Sequence, residues 1–146
     1  MLKKLITEND LKKFGEYKLE LIKFHKEYAN KLGLVDKVID GYTYEDALKH
    51  IGEQGYFQFL INYKNNDVGM LEYEIQNSKI DNNKIIYISC IYIKEEYRGL
   101  GIGRIIIYEL KKQNIRIELE CWYGMPANNL YRSLGMKEIT TRYILD

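Results

Sequence analysis

The residues with the clearest chemical potential lie in a glycine-rich stretch in the second half of the chain. Glycine occupies every second position from Gly99 to Gly103, with Arg98 and Arg104 on either side. Glycine adopts backbone conformations that other residues avoid, and it lets backbone amides come close to a ligand. If a helix starts here, its first N–H groups lack partners within the helix and favour an anion in front of them. The stretch therefore predicts a binding site for a phosphorylated ligand.

Two common phosphate-binding motifs do not describe this stretch. A dinucleotide fingerprint reads G-x-G-x-x-G, but counted from Gly101 the third glycine is replaced by Ile106. A Walker loop needs G-K-[ST], which the sequence lacks. A nucleotide-binding α/β domain is therefore a weaker alternative, and a glycine-rich turn without a ligand is another.

Other reactive side chains give no second candidate site. His25 and His50 lie far apart on predicted helices, so neither a metal site nor a catalytic dyad is expected. No histidine follows Cys90 in the chain, so we do not assign it as a nucleophile. Cys90 and Cys121 both lie in apolar runs, which favours buried, reduced thiols.

Length and composition indicate a single globular domain over residues 1–146, with 46% hydrophobic and 29% charged residues. The net charge of +1 argues against nucleic acid as the main partner. No apolar run approaches the roughly 20 residues that cross a bilayer. The N-terminus is too short and too charged for a signal peptide. We therefore expect no membrane partner and a cytoplasmic location.

The elements that would position the glycine stretch follow the pattern of a mixed α/β domain. Apolar side chains three or four residues apart from Leu11 to Leu32 predict a long helix that Gly33 terminates. Shorter helices are predicted at 43–51, from 102 to near 114, and from 126 to 134. Strands are predicted at 2–6, 56–63, 68–75, 84–93, 115–122 and 137–145. The strand–helix–strand step across 85–122 implies a parallel pair with a crossover helix.

Two segments resemble the signatures of the GNAT superfamily of N-acetyltransferases. Residues 98–103 match [QR]-x-x-G-x-[GA], and residues 127–136 resemble A-x-x-L-Y-x-x-L-G-[FM]. One predicted helix and one predicted strand separate them, which also fits that family. The resemblance implies a mixed α+β fold with about four helices. Its mostly antiparallel sheet would have six to seven strands and would splay open at the parallel pair.

The same resemblance implies roles for the matching residues. The end of strand 84–93 and the glycine stretch would bind acetyl-CoA, the acetyl donor. The implied cofactor-binding residues are Ile91, Tyr92, Ile93, Arg98, Gly99, Leu100, Gly101, Ile102, Gly103 and Arg104. Tyr131 matches the tyrosine that protonates the departing thiolate. The family's asparagine seven residues before that tyrosine is Gly124 here, so Asn128 is expected to take its place.

The general base has several candidates. Glu120 resembles the glutamate that many relatives carry on the strand before the tyrosine helix, and its alternative is a surface carboxylate. Glu72 and Glu74 on the predicted hairpin, or an ordered water chain, could serve instead.

These observations predict an acetyl-CoA-dependent N-acetyltransferase that acts on a primary amine of a small molecule or peptide and needs no metal. The alternative is a non-catalytic acyl-CoA-binding sensor or interaction module. The acceptor would enter between the N-terminal helices and the hairpin at 56–75. Carboxylates predicted on that surface, which favour a cationic amine, are Glu45, Asp46, Glu53, Glu72 and Glu74. The last strand, 138–145, could pair within the chain or across a homodimer.

Overall fold

The computed structural model of the chain describes residues 1–35 and 37–145. Its strands are β1 (Leu2–Lys4), β2 (Tyr56–Tyr63), β3 (Asn66–Asn77), β4 (Lys84–Ile93) and β5 (Arg116–Leu119). Its helices are α1 (Glu8–Lys31), α2 (Lys37–Asp40), α3 (Tyr44–Ala47), α4 (Ile102–Lys111) and α5 (Ala127–Ser133), and Glu95–Tyr97 form one 3-10 turn. None of these helices has the length and apolar character needed to cross a membrane.

The five strands form one sheet in the order β1-β2-β3-β4-β5. All neighbouring pairs are antiparallel except β4 and β5, which are parallel, as the strand–helix–strand pattern predicts. Lys64 and Asn65 join β2 to β3 with positive φ angles of 49° and 65°, the conformation of a tight hairpin turn. The mixed α/β class is therefore confirmed.

Alternation along the strands divides the core between the two faces of the sheet. Leu60 and Met70 face α1, where they pack with Phe14 and Leu21. Ile61, Leu71 and Ile86 belong to the opposite face, where they pack with Ile106 and Leu110 of α4. Because successive side chains of a strand point to opposite faces, strands that are apolar almost throughout are buried on both sides.

The parallel pairing of β4 and β5 ends early, and this opening is the feature that matters most for function. The last paired residues are Ile88 and Leu119, whereas β4 continues to Ile93. The register of β3 against β4 also shifts between Glu72 and Tyr73, which leaves Ser89 as an extra residue in β4. The sheet therefore splays from Ser89 onward, as the resemblance implies.

The long N-terminal helix begins at a local cap and ends where the sequence predicts. Thr7 Oγ1 accepts a hydrogen bond from the Asp10 amide at 3.1 Å, and Asp10 Oδ2 accepts one from the Thr7 amide at the same distance. This reciprocal capping box satisfies two amides that the helix itself leaves unpaired. At the other end Gly33 has a φ of 73°, which permits the left-handed turn after the helix.

The prediction of six to seven strands is wrong. Residues 137–145, predicted as the last strand, have no strand assignment and lie exposed, with Tyr143 86% and Leu145 99% accessible. A strand needs a neighbour to satisfy its backbone groups, and none lies beside this segment in the described chain. Other elements are also shorter than predicted: β1 ends at Lys4, α3 at Ala47, α4 at Lys111 and β5 at Leu119.

Gly69 of β3 offers a test of how closely this strand packs on the end of β4. A Cβ atom there would lie 1.9 Å from the Tyr92 carbonyl oxygen and 2.9 Å from its carbon. We expect Gly69→Ala to lower the free energy of unfolding by about 3 kcal/mol, because neither backbone can yield cheaply. Urea denaturation measures this.

The matched control is Gly124→Ala, where a Cβ meets nothing within 4 Å and only the φ of 82° is unfavourable. That change should cost about 1 kcal/mol. Equal losses for the two variants would contradict a steric role for Gly69.

Candidate active site

The glycine stretch forms an open turn that leads into α4. Gly99 and Gly101 have φ angles of 76° and 81°, and a Cβ at either position would meet nothing within 4 Å. Gly101 caps α4, and the first helical bond runs from the Ile105 amide to the Gly101 carbonyl oxygen. The amides of the first helical turn therefore have no carbonyl partner within the helix, as an anion-binding helix start requires.

Gly103 marks the point where three elements meet. A Cβ atom there would lie 2.8 Å from Leu130 Cδ2 of α5 and 3.8 Å from Ile93 Cδ1 at the end of β4. Arg104 of α4 also donates a hydrogen bond of 2.8 Å to Ser133 Oγ of α5. These two contacts flank Tyr131 in α5. The fold thus brings the glycine stretch, the end of β4 and the helix of Tyr131 together.

Arg98 ties the glycine stretch to the splayed strand. Its Nε atom donates a 2.7 Å hydrogen bond to the Ile93 carbonyl oxygen. Its guanidinium carbon lies 5.2 Å from the ring centre of Phe24 in α1 and 5.6 Å from that of Tyr92. A cation over two aromatic faces is attracted by both rings. The side chain is exposed.

Tyr131 lies in a buried environment that favours its neutral form. Burial, with a smaller effect of Cys121, raises the pKa of the Tyr131 hydroxyl well above its usual value. The hydroxyl therefore keeps its proton at neutral and moderately alkaline pH. Such a group suits the role of proton donor.

The side-chain amide of Asn128 binds the loop that precedes its own helix. Its Nδ2 atom donates hydrogen bonds to the carbonyl oxygens of Trp122 at 2.9 Å and Met125 at 3.1 Å. Both amide hydrogens are thus used to hold the loop, which leaves Oδ1 as the group that could contact a ligand.

Glu120 lies just beyond β5 at the border of the splay. It is exposed, and it accepts a hydrogen bond from Tyr87 of β4. Burial and the Glu120 carboxylate together raise the pKa of Tyr87 to about 12. Tyr87 is therefore a neutral hydroxyl that fixes the position of Glu120.

A cavity of about 580 Å³ lies on the α1 face of the sheet, between the N-terminal helices and the hairpin. It reaches β4 at Ser89 and Cys90, which are the first residues beyond the paired part of β4 and β5. Its polar lining comes from five elements and the segments between them and includes Lys18, Tyr42, Asp46, Lys49, His50, Tyr56, Glu72, Glu74, Tyr87 and Ser89. The cavity thus opens onto the splay from the side that the sequence predicts for the acceptor.

The predicted carboxylates differ in their availability. Glu72 is 1% accessible, and its two oxygens contact Lys18 Nζ at 2.7 Å and Gln58 Nε2 at 3.1 Å. Burial opposes the charge of Lys18, but the neighbouring Cys90 and the Glu72 carboxylate outweigh it and raise the pKa of the ammonium. Glu72 is thus held in a buried ion pair.

Glu74 differs from Glu72 because its neighbour is a tyrosine. A hydrogen bond to Glu74, followed by burial, raises the pKa of Tyr56 to about 12, so Glu74 faces the cavity beside a neutral hydroxyl.

Two carboxylates predicted on this surface lie apart from the lining. Glu45 is exposed on α3, and Glu53 is bound to His50 Nδ1 at 2.6 Å. Asp46 does line the cavity, but its Oδ2 atom also caps α3 by accepting from the Thr43 amide at 2.8 Å.

Several lining residues are missed by the sequence analysis. The spacing of residues in the sequence indicates only that Lys18 lies on the polar face of α1. The packing of α1 on the sheet is what brings Lys18 to Glu72. Tyr56 and Tyr87 are cross-strand partners of Glu74 on either side, a register that the sequence does not reveal. His50 stacks on Tyr56 with ring centres 4.0 Å apart. The one available signal was the density of tyrosines in the predicted strands.

In a comparison with protein families, residues 20–136 match the model described as the acetyltransferase (GNAT) family. The chain belongs to this GNAT family. A search of curated sequences found no significant match.

Solved structures give the same fold at low sequence identity. A mutant of the BH1408 protein from Bacillus halodurans has a TM-score of 0.78 at 16% identity, covering 100% of this chain and 98% of that one. An aminoglycoside antibiotic 6'-N-acetyltransferase from Acinetobacter haemolyticus has a TM-score of 0.66 at 16% identity, covering 97% and 94%. An AAC(6')-Iy structure in complex with the bisubstrate analogue CoA-S-monomethyl-acetylneamine has a TM-score of 0.62 at 13% identity, covering 97% and 92%.

GNAT proteins use acetyl-CoA, and the residues of this chain fit such a ligand. Because no heavy atom would lie within 4 Å of a Cβ at Gly99 or Gly101, the backbone amides of this turn are accessible to a phosphate group. The edge of β4 from Ser89 to Ile93 has no β5 partner among the described residues. Its backbone groups on that side, apart from the Ile93 carbonyl oxygen bound by Arg98, are available to an extended arm.

Proposed function

We propose that this protein is an N-acetyltransferase that moves the acetyl group of acetyl-CoA to a primary amine of a small molecule or peptide. One observation carries the proposal. Residues 89–93 of β4 are not paired with β5. This segment borders the cavity at its first two residues and contacts the glycine stretch at its last. An acyl donor and an amine acceptor entering from these two sides would meet at the splay.

The donor site would consist of the unpaired β4 edge, the amides at the start of α4 and the two arginines of the glycine stretch. When bound, acetyl-CoA supplies an acetyl group activated as a thioester. An amide of the splayed strand would donate a hydrogen bond to the acetyl carbonyl oxygen. Tyr131 Oη would donate its proton to the departing sulfur. Asn128 Oδ1 would contact the pantetheine arm.

The acceptor site favours a cationic amine. Lys18 and Glu72 neutralise each other in the cavity wall. Within the described ranges, neither Glu74 nor Glu120 has a lysine or arginine partner. Both carboxylates instead accept hydrogen bonds from tyrosines, which leaves their negative charge to attract an ammonium group. The names of similar structures support small-molecule acceptors such as aminoglycosides as one class to test.

Glu120 is proposed as the base that removes the ammonium proton before transfer. We expect Glu120→Gln to lower kcat by about 10²- to 10⁴-fold, because the amide cannot accept the proton. The measurement is the pH dependence of kcat, which should lose its acidic limb. Glu74→Gln is the matched control, since Glu74 is also a carboxylate that accepts a hydrogen bond from a tyrosine, and it lines the cavity. If Glu74→Gln causes the loss instead, the base is Glu74.

The decisive experiment follows free thiol released from acetyl-CoA with a panel of amines. The panel contains aminoglycosides, polyamines, amino acids and peptide N-termini. We expect turnover with at least one cationic amine. Binding of acetyl-CoA without turnover on any amine would support the acyl-CoA-binding module. Tighter binding of NAD or ATP than of acetyl-CoA would overturn the donor assignment.

We further propose that residues 1–146 act as one domain and that the protein works in the cytoplasm. A single cooperative unfolding transition and recovery in the cytosolic fraction are the results expected. The free thiols of Cys90 and Cys121 are consistent with a reducing compartment.

A further inference from the structure

A row of three residues across the sheet places one carboxylate between two tyrosines. Tyr56 of β2 and Tyr87 of β4 are the direct cross-strand partners of Glu74 in β3. All three side chains line the cavity on the α1 face of the sheet. Directly opposed side chains of neighbouring strands have Cβ atoms about 5 Å apart, so the Glu74 carboxylate has a ring on either side. We call these three residues the Glu74 row.

Each tyrosine of the Glu74 row is held by a contact of its own. The ring of Tyr56 stacks on that of His50 with centres 4.0 Å apart, and its hydroxyl donates a hydrogen bond to Glu74. The hydroxyl of Tyr87 donates to Glu120. A tyrosine that donates its single proton binds a carboxylate without neutralising its charge. The rings are therefore fixed at the cavity wall, and Glu74 keeps its negative charge.

The other charges of the cavity lining are balanced. Lys18 and Glu72 form the buried ion pair, with 2.7 Å between their charged atoms. Lys49 follows Asp46 by three residues and is close enough for the two charges to attract. Glu74 has no lysine or arginine partner among the described side chains. It therefore gives the lining its net negative charge.

The chemistry of the Glu74 row suits an ammonium group on an aliphatic chain. The face of an aromatic ring attracts a cation and packs against the methylenes that carry it. The carboxylate adds a charge-assisted hydrogen bond. Sugar hydroxyls would lose water at a ring face without gaining an acceptor there. The row thus favours a linear amine over a polyhydroxylated one.

The position of the Glu74 row suits an amine other than the one that reacts. Tyr87 precedes Ser89 by two residues, which places the row about 7 Å along β4 from the start of the splay. An amine that meets the thioester at the splay lies beside Glu120 and away from Glu74. About five methylenes in an extended chain span the distance between the two places.

We propose that the acceptor is a linear diamine or polyamine whose second ammonium group binds Glu74 between the rings of Tyr56 and Tyr87. The inference rests on the proposed acetyl transfer and names the class of amine that it uses. Glu74 then determines acceptor specificity, and the amine at the splay receives the acetyl group.

Three acceptors of equal length test this. At neutral pH diaminopentane carries an ammonium group at each end, whereas a hydroxyl replaces one of them in aminopentanol and a carboxylate in aminopentanoate. We expect wild-type kcat/KM, measured by thiol release, to be at least about tenfold higher for diaminopentane than for aminopentanol, through a lower KM. Aminopentanoate should be the poorest acceptor, because Glu74 repels its carboxylate.

Variants of the Glu74 row should lose this preference for diaminopentane over aminopentanol. Glu74→Gln should reduce it to about twofold or less while kcat for diaminopentane stays within about twofold of the wild type. Tyr56→Leu should reduce it about threefold, because one ring is lost. Tyr56→Phe keeps the ring and should retain most of it. Glu45→Gln, which removes an exposed carboxylate of α3 outside the lining, is the charge control and should leave it unchanged.

Calorimetric titration of the protein with the same three amines measures the preference without turnover. If no amine is acetylated, the proposed function fails, and the titration still decides whether the second ammonium group is bound. Equal affinity for diaminopentane and aminopentanol overturns the inference. A preference that persists unchanged in Glu74→Gln or in Tyr56→Leu overturns it as well, as does a higher kcat/KM for an aminoglycoside than for diaminopentane.

Discussion

Replacement of Tyr131 by phenylalanine is expected to lower kcat by about 10²- to 10⁴-fold while acetyl-CoA binding changes little. The phenyl ring keeps the packing of α5 on α4, which depends on Leu130 and on the Arg104–Ser133 hydrogen bond. What is lost is the Oη proton, which burial keeps in place by raising the pKa. Steady-state kinetics and calorimetric titration with acetyl-CoA separate the two effects.

The control for this variant is Tyr123→Phe, a tyrosine that is 81% accessible and should tolerate the change. The direction of the pKa shift adds a second result. Because the neutral hydroxyl is the active form and its pKa lies above the usual value of 10.0, wild-type activity should not fall on the alkaline side until pH exceeds that value. Unchanged kcat in Tyr131→Phe would show that another group, or water, protonates the thiolate.

Replacement of Lys18 by methionine is expected to lower the free energy of unfolding by about 3–5 kcal/mol. The Lys18 and Glu72 side chains are 5% and 1% accessible, and their charged atoms lie 2.7 Å apart. Removing the ammonium leaves a carboxylate in the wall of the cavity, and among the described residues only Gln58 still donates a hydrogen bond to it. Thermal and urea denaturation at neutral pH measure the loss.

The double variant Lys18→Met with Glu72→Leu provides the control. Replacing both charges with apolar side chains of similar size removes the unpaired carboxylate, so stability should return to within about 1–2 kcal/mol of the wild type or exceed it. A double variant as unstable as the single one would mean that the loss comes from packing of the Lys18 stem and not from the unpaired charge.

Elements that depend on residues close to one another in the sequence could be predicted from it. The strands at 56–63 and 84–93 have the predicted bounds, because alternating or continuous β-branched and aromatic residues end at clear turn residues. The Thr7 cap and the Gly33 end of α1 follow from interactions within one helical turn. The last strand could not be predicted in the same way, because residues 137–145 have strand composition but no neighbour in the chain.

The sequence by itself determined the proposed donor side of this protein. The glycines at 99 and 101 act through their own backbone conformation and the start of the helix that follows, both of which are local. Gly103 differs, because it is where α4 packs closely on α5 and the end of β4. One family signature lies in that same short segment, and the other is equally short, at residues 127–136. The sequence also determined the parallel pairing of β4 and β5, because two neighbouring strands joined by a crossover helix run parallel.

The residues of the proposed acceptor side are brought together only by the tertiary structure. Lys18 and Glu72 are 54 residues apart, and only the fold joins them in a buried ion pair. Tyr87 meets Glu120, and Tyr56 meets Glu74, only through the register and splay of the sheet. The physical reason is that a carboxylate's charge state and partners depend on what surrounds it in space, whereas a glycine's freedom depends on its own backbone alone.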